Sequence, residues 1–167
     1  DGYGRGITEA MDLGRLGAVV PKTVTRLPRE GNPEPRWFPE SYREAWDAGD
    51  HLFLNAIGLT NPGIEAALRD VTPGWSQWNA NVVFSFASDS VDQFAEMAAM
   101  ANQGAGFQAI ELNLSCPNVE DGSLFGHSAV LTSQAVAAVR ANTDLPVLAK
   151  LAPNVPDITE IAKAAVD

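Results

Sequence analysis

Short apolar runs alternate with helical stretches along this chain. Leu16 to Val20 is rich in β-branched residues and reads as a strand ending at Lys22, just past Pro21. His51 to Ile57 reads as a second strand, broken by Gly58. Asn81 to Phe86, Gln108 to Leu114 and Pro146 to Leu151 give three more. Helices fall between them. Asn61 as N-cap and Pro62 at the first position predict a helix over Ile64 to Val71. Ser88-Asp89-Ser90 caps Val91 to Gln103, which Gly104 stops. Ser128 to Asn142 and Ile158 to Val166 complete the pattern. Arg26 to Glu40 holds four prolines and Gly31-Asn32-Pro33, and is expected to be an irregular loop.

Strands apolar on both faces, each followed by a loop and a helix, predict a parallel sheet covered by helices. The fold class is α/β. The pattern fits either an open doubly wound sheet or a (β/α)₈ barrel, which needs eight strands and about 250 residues. Five strands are legible in 167 residues. No Gly-x-Gly-x-x-Gly follows a strand, so the usual dinucleotide fingerprint is missing.

Composition narrows the function classes. A net charge of −10 disfavours nucleic acid as a partner. A local basic pocket remains open, because Lys22, Arg26, Arg29 and Arg36 lie close in sequence. No apolar run approaches the length of a membrane span, and the first residues do not read as a signal peptide. One cysteine allows no internal disulfide and fits a reducing, cytoplasmic setting.

The densest chemistry lies in Glu111-Leu112-Asn113-Leu114-Ser115-Cys116-Pro117-Asn118. An apolar strand here delivers a thiol and two amides to its C-terminal edge, where α/β barrels place their active sites. A lone cysteine is commonly an inert core residue. Its neighbours Asn113, Ser115 and Asn118 argue for chemistry instead. Cys116 as thiolate is a candidate base, helped by a nearby cation such as Lys22. Lys150 follows Val147-Leu148-Ala149 inside a core pattern and needs a charged partner. His51 and His127 lack metal-ligand spacing and read as structural, so no metal site is expected. One cysteine cannot hold an iron–sulfur cluster on this chain.

These segments together resemble the class 1 dihydroorotate dehydrogenases, which are flavin-containing (β/α)₈ TIM barrels. The resemblance runs in order through nearly all of the chain. It implies one barrel domain over residues 1–167, truncated at both ends, with the second to sixth of eight strands present. The last strands and the flavin-phosphate site would lie outside. Val20-Pro21-Lys22-Thr23-Val24-Thr25 matches the second-strand motif and implies Lys22 and Thr23 at the flavin, with Lys22 also at the substrate. Asn55-Ala56-Ile57-Gly58-Leu59 with Asn61-Pro62-Gly63 matches the third-strand motif. It implies that Asn55, Ala56, Ile57, Gly58 and Leu59 grip orotate. Ser85 stands where close relatives usually carry an asparagine against the flavin. The resemblance implies Asn113 at both ligands, Asn118 at the substrate, Cys116 as catalytic base and Lys150 at the flavin.

The activity so implied is oxidation of dihydroorotate to orotate in pyrimidine biosynthesis, with Cys116 removing the C5 proton and the C6 hydride passing to FMN. Homodimerisation is implied as well. The motifs look most like the NAD-linked subclass, whose partner subunit carries FAD and an iron–sulfur cluster. Fumarate-using relatives share the cysteine. Three other readings compete, one of them non-enzymatic: a binding or scaffold half-barrel that has lost catalysis by truncation. Dihydropyrimidine dehydrogenases carry a similar Asn-Leu-Ser-Cys-Pro segment, typically followed by His rather than Asn118. An aldolase-like barrel could use Lys150 as a Schiff base.

Overall fold

Three parallel strands in the order β3 (Val83–Phe86), β4 (Ala109–Asn113) and β5 (Val147–Lys150) form the centre of the molecule. The computed structural model describes residues 2–4, 6–39, 41, 46, 47, 49, 52–115 and 124–166. The segment through Val19 and Val24 runs parallel to β3 on its other side, bridging Val82 and Phe86. Pro21 lies between those bridges and has no N–H to give, so the pairing is interrupted there.

Before the sheet come α1 (Ile7–Ala10) and a two-stranded antiparallel ribbon. Its strands are β1 (Trp37–Phe38) and β2 (Leu54–Asn55). The ribbon corrects an expectation. The run His51 to Ile57 is not a strand of the parallel sheet: Leu54 and Asn55 pair antiparallel with Phe38 and Trp37, and both are exposed. An apolar run of this length fits a two-stranded ribbon as well as a buried strand, and periodicity alone does not separate them. Four of the five expected runs therefore lie side by side in parallel. His51 is outside the described residues.

A second correction concerns the next helix. α2 (Ile64–Ala66), a π-helical stretch (Ala67–Val71) and α3 (Thr72–Trp75) follow one another directly, beyond the expected end at Val71. Its N-cap is Gly63 with φ +79°, not Asn61. The Asn61 side chain is used elsewhere. Its Oδ1 accepts from the backbone N–H groups of Thr25 and Gly63, and its Nδ2 donates to Thr25 Oγ1 and the Leu59 carbonyl.

The remaining helices fall where the sequence places them. α4 (Val91–Ala101) is capped by Ser90, whose hydroxyl accepts from the Gln93 N–H. α5 (Ala129–Arg140) is capped by Ser128, and α6 (Ile158–Ala164) by Asp157. α4 packs on α5, and α5 on α6. Gly106 has φ +89°, and a Cβ there would run into the Thr72 carbonyl, so only glycine fits that turn.

The core lies between sheet and helices. Phe84, Phe86, Ile110 and Leu112 are fully buried against Phe94 and Met97 of α4 and Val139 of α5. Aromatic contacts continue through it: Phe107 stacks on Phe84 at 4.9 Å, and Phe125 meets Phe94 edge-on at 5.2 Å. Each such ring contributes about 1.5–3 kcal/mol by leaving water. The expectation of strands apolar on both faces does not hold. Only the even positions of β3 and β4 join the core, and β5 alternates half-buried with exposed residues. The other face mixes Val83 and Leu148 with the polar Ser85, Glu111, Asn113 and Lys150.

Candidate functional site

The polar face follows from strand alternation. Successive side chains point to opposite sides, so placing Ile110, Leu112 and Leu114 in the core sends Glu111, Asn113 and Ser115 the other way. Register then chooses their neighbours. Ser85 on β3 pairs with Glu111, and Lys150 on β5 pairs with Asn113. The segment beside β3 adds Thr23.

A continuous hydrogen-bond chain joins them. Lys150 Nζ donates to Asn113 Oδ1 at 2.7 Å and also to Ser115 Oγ. Ser115 donates to the same Oδ1 from its hydroxyl at 2.9 Å and its backbone N–H at 3.3 Å. Asn113 Nδ2 donates to Thr23 Oγ1 at 3.1 Å. Thr23 Oγ1 and Ser85 Oγ lie 2.9 Å apart. Ser85 Oγ donates to Glu111 Oε1 at 2.7 Å. Ser85 is 1% exposed and Glu111 8%, so the acidic end is buried, whereas Lys150 is exposed.

The expected charged partner of Lys150 is not found among the described residues, and its side chain is exposed rather than set in a core. Among the described residues it is held by amide and hydroxyl oxygens rather than by a carboxylate. An ammonium has three N–H donors, so one remains after Asn113 and Ser115 are served. Asn113 likewise keeps one amide N–H. Lys22 is half-buried and its stem lies against Gly2. No hydrogen bond or ion pair among the described residues engages its ammonium. The face thus offers donors in excess of acceptors, a composition suited to a ligand rich in carbonyl and anionic oxygens.

The sequence-predicted residues divide into three groups. Thr23, Ser85, Asn113 and Lys150 come together in the chain described above. Asn55, Ala56, Ile57, Gly58 and Leu59 do not join it by any hydrogen bond among the described residues. Asn55 is exposed on β2. The Ala56 N–H donates to the Arg36 carbonyl, and the Ile57 carbonyl accepts from the Asn32 N–H. Gly58 and Leu59 both have positive φ, +76° and +55°, and lead into the Asn61 latch on Thr25. That latch links this loop to the end of the strand segment carrying Thr23. Cys116 and Asn118 lie outside the described residues.

Glu111 and Ser115 were not assigned a role from sequence. Their signal is the period of two through Glu111, Asn113 and Ser115, which alternation puts on one face without naming the neighbours they meet there. The basic pocket left open by sequence does not form from the arginines. Arg26 pairs with Glu65 and Glu96, Arg29 with Asp89, and Arg36 with Glu34.

Comparison with known proteins places this arrangement. The family described as dihydroorotate dehydrogenase matches residues 1–167. The chain belongs to the dihydroorotate dehydrogenase family. It is similar to the catalytic subunit of dihydroorotate dehydrogenase B (NAD(+)) from Desulforudis audaxviator. That relative is 45% identical over 98% of this chain and 51% of its own length. The corresponding subunit from Desulforamulus reducens is 37% identical over the same 98%, again 51% of its length. The chain therefore spans about half the length of the curated relatives it matches. A crystal structure of DHODH from Eimeria tenella in complex with ferulenol superposes with TM-score 0.63 over 92% of this chain and 48% of that one. Its identity is 19%, which speaks to fold alone. With the parallel sheet and its covering helices, this makes the chain part of a (β/α) barrel of the dihydroorotate dehydrogenase type. No helix among the described residues is long and apolar enough to cross a membrane.

Proposed function

We propose that this chain forms the base-bearing half of a flavin site that oxidises dihydroorotate to orotate, a step of pyrimidine biosynthesis. The observation that carries the reading is the Lys150–Asn113–Ser115 cluster at the strand ends, leading directly into Cys116. The donor set suits flavin mononucleotide. Lys150 and Asn113 each keep a free N–H for ring oxygens or nitrogens, and Thr23 and Ser85 line the same face. Bound there, flavin mononucleotide would supply the acceptor for the hydride leaving C6 of dihydroorotate.

The chain's own residues do the rest. Cys116, as thiolate, takes the C5 proton. Its thiol needs a cation to raise the thiolate fraction at neutral pH, and Lys22 and Lys150 are the candidates. Charge building at the C4 carbonyl calls for amide donors, a role for Asn113 and Asn118. The Ala56 N–H is taken by the Arg36 carbonyl, but the loop beyond it turns through two positive-φ residues, Gly58 and Leu59, a form suited to holding a carboxylate on backbone N–H groups. The names of the similar bacterial catalytic subunits support NAD as the final acceptor and a further subunit beside this one; in the proposed route that partner carries FAD and an iron–sulfur cluster. A homodimer of the catalytic chain completes the proposed assembly.

The test is anaerobic mixing of the full-length, flavin-loaded protein with dihydroorotate while oxidised-flavin absorbance is followed. Wild type should bleach rapidly. Cys116→Ala should slow bleaching by about 10²–10⁴-fold, the usual worth of a positioned base. Bound flavin that dihydroorotate fails to bleach would sink the substrate assignment.

A further inference from the structure

The direction of every proton in the polar chain can be read from its ends. Lys150 and the Ser115 backbone N–H can only donate, so Asn113 turns Oδ1 toward them and Nδ2 toward Thr23. At the other end a carboxylate accepts, so Ser85 spends its one proton on Glu111. The 2.9 Å contact between Ser85 and Thr23 then leaves Thr23 as donor. All donors run one way: Asn113 to Thr23, Thr23 to Ser85, Ser85 to Glu111. The Thr23 proton is thereby turned inward. Remove the carboxylate and a fully buried Ser85 hydroxyl has one acceptor left in the chain, the Thr23 oxygen. The Thr23 proton would then swing out toward the site.

We propose that Glu111 is a positioning residue that sets the polarity of the Thr23 hydroxyl, so that Thr23 meets the bound flavin as an acceptor rather than a donor. This rests on the flavin site proposed above. Glu111 acts through Ser85 and Thr23.

The experiment uses full-length protein stripped of flavin and reloaded with flavin mononucleotide. Two quantities are read: the dissociation constant, and the position of the long-wavelength flavin band in the loaded fraction. Glu111→Leu removes the acceptor, and Ser85→Ala removes the relay while keeping the carboxylate. Both should weaken flavin binding by about tenfold and move the band alike, because each frees the same proton. Glu111→Gln keeps an acceptor oxygen and should stay within about twofold of wild type. In a Thr23→Val background, Glu111→Leu should add nothing, since the hydroxyl it controls is gone.

A purely structural role would lower stability and flavin content and leave the band of the loaded fraction in place. An unmoved band in both Glu111→Leu and Ser85→Ala overturns the proposal. So does a Glu111→Leu effect that persists undiminished in Thr23→Val. If Glu111→Leu fails to fold, Ser85→Ala, alone and in the Thr23→Val background, decides the matter. Wild type that takes up no flavin mononucleotide overturns both this proposal and the proposed function. Wild type that binds flavin but is not bleached by dihydroorotate overturns only the latter, and the variant comparison still decides the role of Glu111.

Discussion

The two faces of one small sheet have been built to opposite rules. On the helix side, Phe84, Phe86, Ile110 and Leu112 are fully buried within the hydrophobic core. On the other side, one residue along each strand, Ser85, Glu111, Asn113 and Lys150 form one hydrogen-bond chain that runs through Thr23. The backbone is shared, so the two faces cannot be separated by position in the chain. They differ in what holds them. The apolar face is held by area removed from water, which is non-directional and tolerant of small shifts. The polar face is held by direction, because each link from Asn113 to Glu111 has one donor and one acceptor. The first stabilises the fold, and the second presents a pattern of donors to whatever sits above the strand ends. Residues one apart should therefore differ in kind when replaced.

Phe84→Ala should give the largest effect. It deletes a fully buried ring that contacts Trp75, Phe86 and Phe107, and should cost about 3–5 kcal/mol in a urea titration. Once folded under stabilising conditions, the protein should keep its flavin chemistry. Asn113→Ala is the mirror experiment. It is half-buried, so it should cost no more than about 1–2 kcal/mol of stability. It should slow flavin bleaching by dihydroorotate about 10²-fold, the scale for losing one positioned donor. If Asn113→Ala unfolds the protein as Phe84→Ala does, the division of labour between the faces is wrong.

Much of this was legible in the amino-acid sequence, for reasons that vary by element. The helices α4, α5 and α6 were clear because Ser90, Ser128 and Asp157 each combine N-cap chemistry with a long helix-forming run. Strands β3, β4 and β5 were clear from β-branched and apolar runs bounded by breakers. The ribbon of Trp37–Phe38 and Leu54–Asn55 was not, because residues 39–53 separate its partners and nothing local sets their pairing. Asn61 was misread because Asn-Pro before an apolar run is a common helix start, whereas here its amide ties the loop to Thr25. The site was legible as residue types, through the Asn113 to Asn118 segment and two strand-end lysines. Its wiring was not. Register is a tertiary property, and only register brings Ser85 beside Glu111 and Asn113 beside Lys150. Glu111 went unassigned for that reason: a carboxylate inside an apolar run has no visible partner until the neighbouring strand is placed.

The smallest effect sharpens the comparison from the apolar side. Tyr3 packs against the aromatic end of the core, and its carbonyl accepts from Trp75 Nε1 at 3.0 Å. Burial disfavours the phenolate and pushes the Tyr3 hydroxyl up to about 12 from an ordinary value of 10.0. The sign follows from linkage. Below pH 10 the hydroxyl is protonated in both folded and unfolded chains, and its contribution is fully present. Between pH 10 and about 12 the unfolded chain loses this proton while the folded one holds it, so stability falls as pH rises. Tyr3→Phe should remove that component and leave the losses from other groups in place. Urea midpoints of the two proteins should separate between pH 9 and 12, with Tyr3→Phe falling less. Parallel curves over that range would mean that the Tyr3 hydroxyl is as well hydrated as any surface group. The apolar layer would then end at Trp75 rather than reach the N-terminal segment.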